Sequence, residues 1–183
     1  MQRDLVEAAQ RGDHEAFEVL AKDAADRLYA ISRLILRDVD LAQDAVQETL
    51  IRTWRGLPGL RDPERFDAWL HRLLVNTCND LIRSRTRLKA TVHLIETNLP
   101  SSDESDLVAE RDQLECGFRR LRPEQRAVIV MRYYLGLSLP EIADTLSIPL
   151  GTVKSRLHYA METLRAALEA DARPIPQLAG KTA

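Results

Sequence analysis

The chain has 183 residues, 26 Lys and Arg against 28 Asp and Glu, a net charge of −2, and 45% hydrophobic and 30% charged residues. That length holds one ordinary domain or two small ones, and this balance excludes both a disordered chain and a membrane-embedded one. Only 5% aromatic residues and seven glycines argue against a β-sandwich or barrel, which needs aromatic strands and frequent turns. The longest strictly apolar run, Ala127 to Met131, is five residues, far short of a membrane span. The start, Met1-Gln2-Arg3-Asp4, carries no apolar core of a signal peptide. Cys78 and Cys116 lie 38 residues apart and form no CxxC pair, so a reduced cytoplasmic chain is expected.

Helical periodicity dominates. After a short helix, Gln2 to Gln10, the stretch His14 to Leu36 places Phe17, Leu20, Ala21, Ala24, Leu28, Ile31 and Ile35 at spacings of three and four, one apolar stripe. Asp38 is an N-cap for a helix from Val39 to Arg55, with Leu41, Ala42, Ala45, Val46, Thr49, Leu50 and Trp54 inward. Gly56-Leu57-Pro58-Gly59 ends it, and a loop with Pro63 runs to Arg65. A third long helix spans Phe66 to Arg85 and buries Phe66, Trp69, Leu70, Leu73, Leu81 and Ile82. Residues 86–105 lose the period and end in the turn-forming Asn98-Leu99-Pro100-Ser101-Ser102-Asp103. Helices are then expected from Asp106 to Leu121, from Pro123 to Tyr134 with Gly136 closing it, from Leu139 to Leu146, and from Pro149 to Ala170. The expected architecture is all-α: an N-terminal domain over 1–88, a linker over 89–105, a C-terminal domain over 106–171 and a disordered tail over 172–183.

The charge is patterned. Residues 1–95 balance at 15 basic and 15 acidic groups, yet Arg83, Arg85, Arg87 and Lys89 cluster without an acid. Residues 96–115 hold seven acids against Arg111 alone, and residues 116–171 hold eight basic and six acidic groups. An acidic bridge therefore joins two segments with basic patches. A protein that gripped DNA strongly by itself would be more basic, so any DNA binding is weak alone or assisted by a partner.

The most specific local signal runs from Leu139 to Tyr159. Ser138-Leu139-Pro140-Glu141 fits a capping box; Ile142 and Leu146 face inward, and Ala143 is small enough for a second helix to cross closely. Ser147-Ile148 makes a tight turn, with serine where glycine commonly sits, and Pro149 opens the next helix. That helix buries Val153, Leu157, Ala160, Met161, Leu164 and Leu168, and its outward N-terminal face shows Thr152, Lys154, Ser155, Arg156, His158 and Tyr159. This is the pattern of a helix-turn-helix whose second helix enters the major groove by its N-terminal half. There Lys154 and Arg156 reach phosphates or guanine edges.

These residues carry a resemblance. The segment LSLPEIADTLSIPLGTVKSRLHYAMETLR, ending at Arg165, resembles the C-terminal helix-turn-helix of extracytoplasmic-function (ECF, group IV) members of the sigma-70 family of bacterial RNA polymerase sigma factors. LRPEQRAVIVMRYYLGLSLPEIA (Leu121 to Ala143), DAVQETLIRTW (Asp44 to Trp54) and FDAWLHRLLVNTCNDLIRSR (Phe66 to Arg85) match that family's other motifs in order. The resemblance implies a promoter-specificity subunit whose partners are core RNA polymerase, promoter DNA and, commonly, an anti-sigma factor. It implies that Asp44, Gln47, Glu48, Arg52 and Arg55 dock on the polymerase. It implies that Asp62, Arg65, Arg72, Asn76, Asn79, Arg83 and Arg85 serve −10 recognition and melting, Asn76 matching the VNT motif, and that Thr152, Lys154, Ser155, Arg156, His158 and Tyr159 read the −35 element. It implies also that the acidic linker threads a polymerase channel.

Catalysis and metal binding find no motif. Gly136-Leu137-Ser138-Leu139-Pro140 lacks the closing glycine of a nucleophile elbow, and His14-Glu15-Ala16-Phe17-Glu18 puts Glu where a zinc protease needs its second His. No Gly-rich phosphate loop exists, and His71 with Cys78 gives only two ligands. No enzyme, cofactor or metal site is therefore expected. The alternatives are a regulator with an N-terminal sensing or dimerisation module, and a helical protein-binding adaptor. The motifs at 44–54 and 66–85 speak against the first, and Lys154 with Arg156 against the second.

Overall fold

The computed structural model describes residues 1–92 and 117–171. The acidic segment Glu96 to Glu115, most of the helix expected from Asp106 to Leu121, most of the expected linker and the tail lie outside the described residues. In chain order the elements are α1 (Gln2–Gln10), α2 (His14–Leu36), α3 (Val39–Gly56), α4 (Phe66–Val92), a helical turn at 117–120, α5 (Pro123–Ile129), α6 (Leu139–Leu146) and α7 (Leu150–Asp171). Two 3-10 turns, Leu57–Gly59 and Pro63–Arg65, join α3 to α4, and among the described residues there is no strand.

Side-chain caps set the helix starts. Asp13 accepts the Ala16 amide at 3.1 Å to open α2, and Asp38 accepts the Leu41 amide at 3.1 Å to open α3, as its position predicts. The α3–α4 connection is pinned from a distance, because Gln10 Nε2 on α1 donates to the Leu57 and Leu60 carbonyls at 3.1 and 2.7 Å. Arg27 on α2 pairs with Asp67 on α4 at 2.9 Å, which fixes the first turn of α4.

The core of the N-terminal half is built from Val6 and Ala9 of α1, Leu20, Leu28, Ile31 and Ile35 of α2, Ala45 of α3, and Leu70, Leu74, Val75 and Cys78 of α4. Several inward assignments move by one position. On α2, Ala16, Ser32 and Leu36 are buried while Phe17 and Ala21 are half-buried. On α3, Ala42, Ala45, Thr49 and Thr53 form the innermost line. Thr49 and Thr53 tolerate this because each hydroxyl donates to the carbonyl four residues back, at 2.6 and 2.7 Å. On α4 the buried line is Phe66, Leu70, Leu74, Val75, Thr77 and Cys78, while the expected Leu73, Leu81 and Ile82 are half-buried, as is Trp69 against Gly56. The Cys78 thiol lies 3.9 Å from the Ser32 hydroxyl, and burial pushes its pKa up to about 12.

The helix expected to run unbroken from Pro123 to Tyr134 changes register at its end. Val130–Tyr134 is a π turn in which the Leu135 amide donates to the Val130 carbonyl at 3.0 Å, and Gly136 closes it at φ +69°. Here α5 has two apolar faces. Ile129 joins Leu121, Ala160 and Leu164 in a small cluster with α7. Ala127, Val128, Val130 and Met131, together with Ile142, Ala143 and Leu146 of α6 and Val153 of α7, belong instead to the N-terminal cluster. The two halves, expected as two linked helical domains, therefore also pack against each other, while Leu121, Ile129, Ala160 and Leu164 keep a cluster of their own. The run Ala127–Met131, apolar on every side, has more surface than α7 alone covers.

Candidate nucleic-acid interface

The turn between α6 and α7 is fixed by hydrogen bonds at both ends. The Ser138 amide and hydroxyl donate to the Glu141 carboxylate at 2.9 and 2.7 Å, while the Glu141 amide reaches the Ser138 hydroxyl at 3.4 Å, a reciprocal capping box. Ser147 takes a left-handed conformation at φ 52°, the place that glycine fills most easily, and the Ile148 amide returns to the Ala143 carbonyl at 3.1 Å. Pro149 stands one residue before α7 rather than as its first residue, its carbonyl accepting the Thr152 and Val153 amides at 2.8 and 3.2 Å.

Val153, Ala160, Leu164 and Ala167 make the buried seam of α7, with Leu157 half-buried. Met161 and Leu168, expected in that seam, are 40% and 41% exposed. The small Ala160 and Ala167 let α7 approach its neighbours closely, so the larger side chains beside them are turned outward. Of the expected −35 readers, Lys154, Ser155, His158 and Tyr159 are exposed and Thr152 and Arg156 half-buried. Ser155, Arg156 and Tyr159 line one groove of about 290 Å³ with Arg122, Glu124 and Gln125 of the α5 start. The Tyr159 ring is 62% exposed and meets His158 edge-on at 5.5 Å. Arg122 and Gln125 are absent from the sequence reading because only the tertiary crossing of α5 and α7 brings them there.

On α4, Asn76, Asn79 and Arg83 come together in a polar cleft of about 330 Å³ with Arg52 and Asp80. Its opposite wall is Thr145, Leu146 and Ser147, the end of α6. Arg72 and Arg65 are exposed, and neither lines this cleft, though their charges reach the Glu141 carboxyl. That group is held below its usual range first by the Ser138 hydrogen bonds and then by these two guanidinium charges. Two expected members of this face have other partners. Asp62 accepts the Glu64 amide at 3.1 Å and caps the 3-10 turn, and Arg85 pairs with Asp38 at 2.9 Å across to the start of α3.

A second groove, of about 480 Å³, lies between α3 and α4 on the side of the expected polymerase contacts. Asp44, Gln47, Glu48 and Arg52 line it, with Ile51, Thr77, Asp80, Leu81 and Ser84. Arg52 bridges Glu48 at 2.7 Å and Asp80 at 3.0 Å, so a fixed cation sits among acids at the floor. Arg55, exposed in the last turn of α3, is not among the groove's lining residues. Ile51, 38% exposed, and the α4 residues Thr77, Asp80, Leu81 and Ser84 are the members that sequence reasoning missed. An exposed isoleucine on a polar helix face was the available signal.

Among the described residues no group of three or more His, Cys, Asp or Glu could hold a metal ion, and no helix is long and apolar enough to cross a membrane.

Two family models match the chain: Sigma-70 region 2 over residues 20–88 and Sigma-70, region 4 over residues 117–166. The chain is similar to the RNA polymerase sigma-E factor of Streptomyces avermitilis, 34% identical over 168 residues that cover 90% of this chain and 93% of that protein. It is also similar to the ECF RNA polymerase sigma factor SigW of Bacillus subtilis, 30% identical over 178 residues, covering 90% and 95%. Among solved structures, CnrH in complex with the cytosolic domain of CnrY is 28% identical with a TM-score of 0.59, covering 93% of this chain and 99% of CnrH. The sigma factor RpoE of Bartonella quintana, at 22% identity, shares the fold with a TM-score of 0.66, covering 85% and 98%. The residues that line the α3–α4 groove and the helix-turn-helix with the N-terminal part of α7 thus fall inside the two matched regions, and the chain belongs to the ECF subfamily of the sigma-70 family of RNA polymerase sigma factors.

Proposed function

We propose that this chain directs core RNA polymerase to specific promoters and helps to melt the −10 region, with its polar faces divided among three tasks. The α3–α4 groove docks on the polymerase through Asp44, Glu48 and the Arg52 that bridges Glu48 and Asp80, with the partly exposed Ile51 as apolar anchor. Asn76 and Asn79 offer amide groups to base edges of the melted strand, and Arg65, Arg72 and Arg83 supply phosphate contacts. The N-terminal part of α7 reads the −35 duplex. Arg156 and Ser155 lie in the groove, Lys154 reaches phosphate, and Tyr159 offers an apolar edge to a thymine methyl.

The observation that carries this reading is the division of polar surface between an N-terminal groove and a C-terminal helix-turn-helix on one chain of balanced charge. At a net charge of −2 the chain as a whole lacks the excess of cations that autonomous DNA binding requires. A partner that holds both readers at a fixed separation supplies the missing affinity as effective concentration. The chain then acts as an initiation factor in the cytoplasm, and the polymerase does the chemistry. An anti-sigma factor fits the same reading, since RpoE of Bartonella quintana, which shares the fold, was solved in complex with the anti-sigma factor NepR. The test is capture of core polymerase by the tagged chain, followed by sequencing of the DNA that the complex retains. A shared motif pair is the expected result, and capture of DNA without polymerase contradicts the proposal.

A further inference from the structure

We infer that Gln10, the last residue of α1, is a positioning residue for promoter melting: its amide clamps the loop ahead of α4, and with it the −10 contact Arg65. The inference rests on the −10 assignment given to Arg65 above. The loop is anchored at its ends by the buried Leu57 and Phe66, and between them Pro58, Gly59, Arg61, Asp62, Glu64 and Arg65 are exposed. Local bonds shape its two turns. The Leu60 amide donates to the Leu57 carbonyl at 3.0 Å, the Arg65 amide to the Asp62 carbonyl at 3.0 Å, and the Glu64 amide to the Asp62 carboxylate at 3.1 Å. None of these three bonds ties a turn to the body of the protein; those of Gln10 do.

A primary amide carries two N–H donors, and Gln10 Nε2 reaches two carbonyls with them, Leu57 at 3.1 Å and Leu60 at 2.7 Å, 47 and 50 residues away in the chain. The clamp has a firm base. Val6 and Ala9 of α1 are buried in the N-terminal core. Where α1 turns into α2, the Arg11 and Asp13 amides return to the Ala8 carbonyl at 3.0 and 3.2 Å, and the Gly12 amide to Ala9 at 3.0 Å. Arg3 also meets Glu64 at the far end of the loop, but at 3.5 Å and with side chains 61% and 72% exposed this pair contributes little. Nothing on α1 has to touch DNA for the clamp to act. A loop fixed before the strand arrives has no ordering cost left to meet on binding, and its competent fraction stays high. The effect is confined to the −10 element, because neither the α3–α4 groove nor the groove beside α7 is lined by a residue of the loop.

The test uses the full chain assembled with core polymerase on a promoter recovered by the capture experiment, with its −10 element intact or scrambled. Permanganate reactivity of unpaired thymines reads melting, and the ratio between the two templates measures −10 discrimination. Competition for labelled core polymerase and protection of the −35 element are read beside it. Gln10→Met keeps the length of the side chain and removes both donors. It should lower −10 discrimination by about 5–10-fold while polymerase affinity and −35 protection stay unchanged. Arg3→Ala should change discrimination by less than about twofold. Parallel loss of all three readouts in Gln10→Met marks a general role in folding and overturns the inference, as does an equal effect of Arg3→Ala. Arg65→Ala separates the remaining failures. If Arg65→Ala loses discrimination and Gln10→Met retains it, the clamp is overturned and the −10 assignment stands. If Arg65→Ala retains discrimination, the −10 assignment of Arg65 is overturned and the inference falls with it.

Discussion

Reversing one charge in the α3–α4 groove separates docking from folding. Glu48 lies in that groove with Asp44, Asp80 and the bridging Arg52, and its carboxylate accepts Arg52 Nε at 2.7 Å. The side chains of this pair are 37% and 43% exposed, and Arg52 retains Asp80 at 3.0 Å when Glu48 is lost. An exposed i,i+4 pair is worth about 0.3–0.5 kcal/mol, and the like-charge contact created by Glu48→Lys adds a similar penalty. The stability loss is therefore about 1 kcal/mol or less, a fall in Tm of roughly 2–4 °C for a chain of this size. Docking suffers more, because a partner cation placed against Glu48 then meets a lysine in a partly desolvated groove. For such a rim-to-core position about 2 kcal/mol is a conservative figure, or roughly thirtyfold weaker association. Competition for labelled core polymerase measures the affinity, circular dichroism checks the fold, and binding of the −35 duplex should be unchanged. A folded Glu48→Lys chain that binds polymerase with full affinity would refute the assignment of this groove.

Three other outcomes follow from the same geometry. Arg156→Ala should weaken −35 recognition by polymerase carrying the chain by about 1–3 kcal/mol if the guanidinium pairs with a guanine; an unaltered footprint would rule out that contact. Asp38 caps α3 and pairs with Arg85, and although burial opposes ionisation, the Leu41 amide and Arg85 prevail and hold its carboxyl below the usual range. A depressed carboxylate stabilises above its unfolded pKa, and the gain is lost as pH falls through the folded value. Asp38→Ala should therefore cost about 1–2 kcal/mol at pH 7 in urea titrations and much less in acid, with Asp38→Asn, which retains the cap, in between. Equal losses for both variants at pH 7 would leave the cap without a role. Finally, the Cys78 thiol, pushed up to about 12 by burial, should resist iodoacetamide in a Cys116→Ser chain until denaturant unfolds it; rapid native alkylation would contradict the packing of α2 on α4.

What the sequence made legible was local. The stripe Leu20, Ala24, Leu28, Ile31 and Ile35, the cap at Asp38 and the box Ser138–Glu141 are each written within a few residues, and each is found in place. Spacing alone could not order side chains at the edge of a stripe. Met161 and Leu168 have the right period but stand beside Ala160 and Ala167, whose small size decides which line is buried. Polar partners far apart in the chain were equally invisible. Arg85 has Asp38 and Arg52 has Asp80, pairings across 47 and 28 residues that no i,i+4 rule anticipates. The larger surprise is the packing of one half on the other, because an apolar run such as Ala127–Met131 announces burial without saying against what.

The central claim, that this chain confers promoter choice on a polymerase, is tested most directly by run-off synthesis in a purified system. Core polymerase should give no specific transcript from a promoter recovered in the capture experiment, and adding the chain should produce one transcript of defined start, lost when either promoter element is scrambled. Transcription that is the same with and without the chain, across every recovered promoter, would contradict the account.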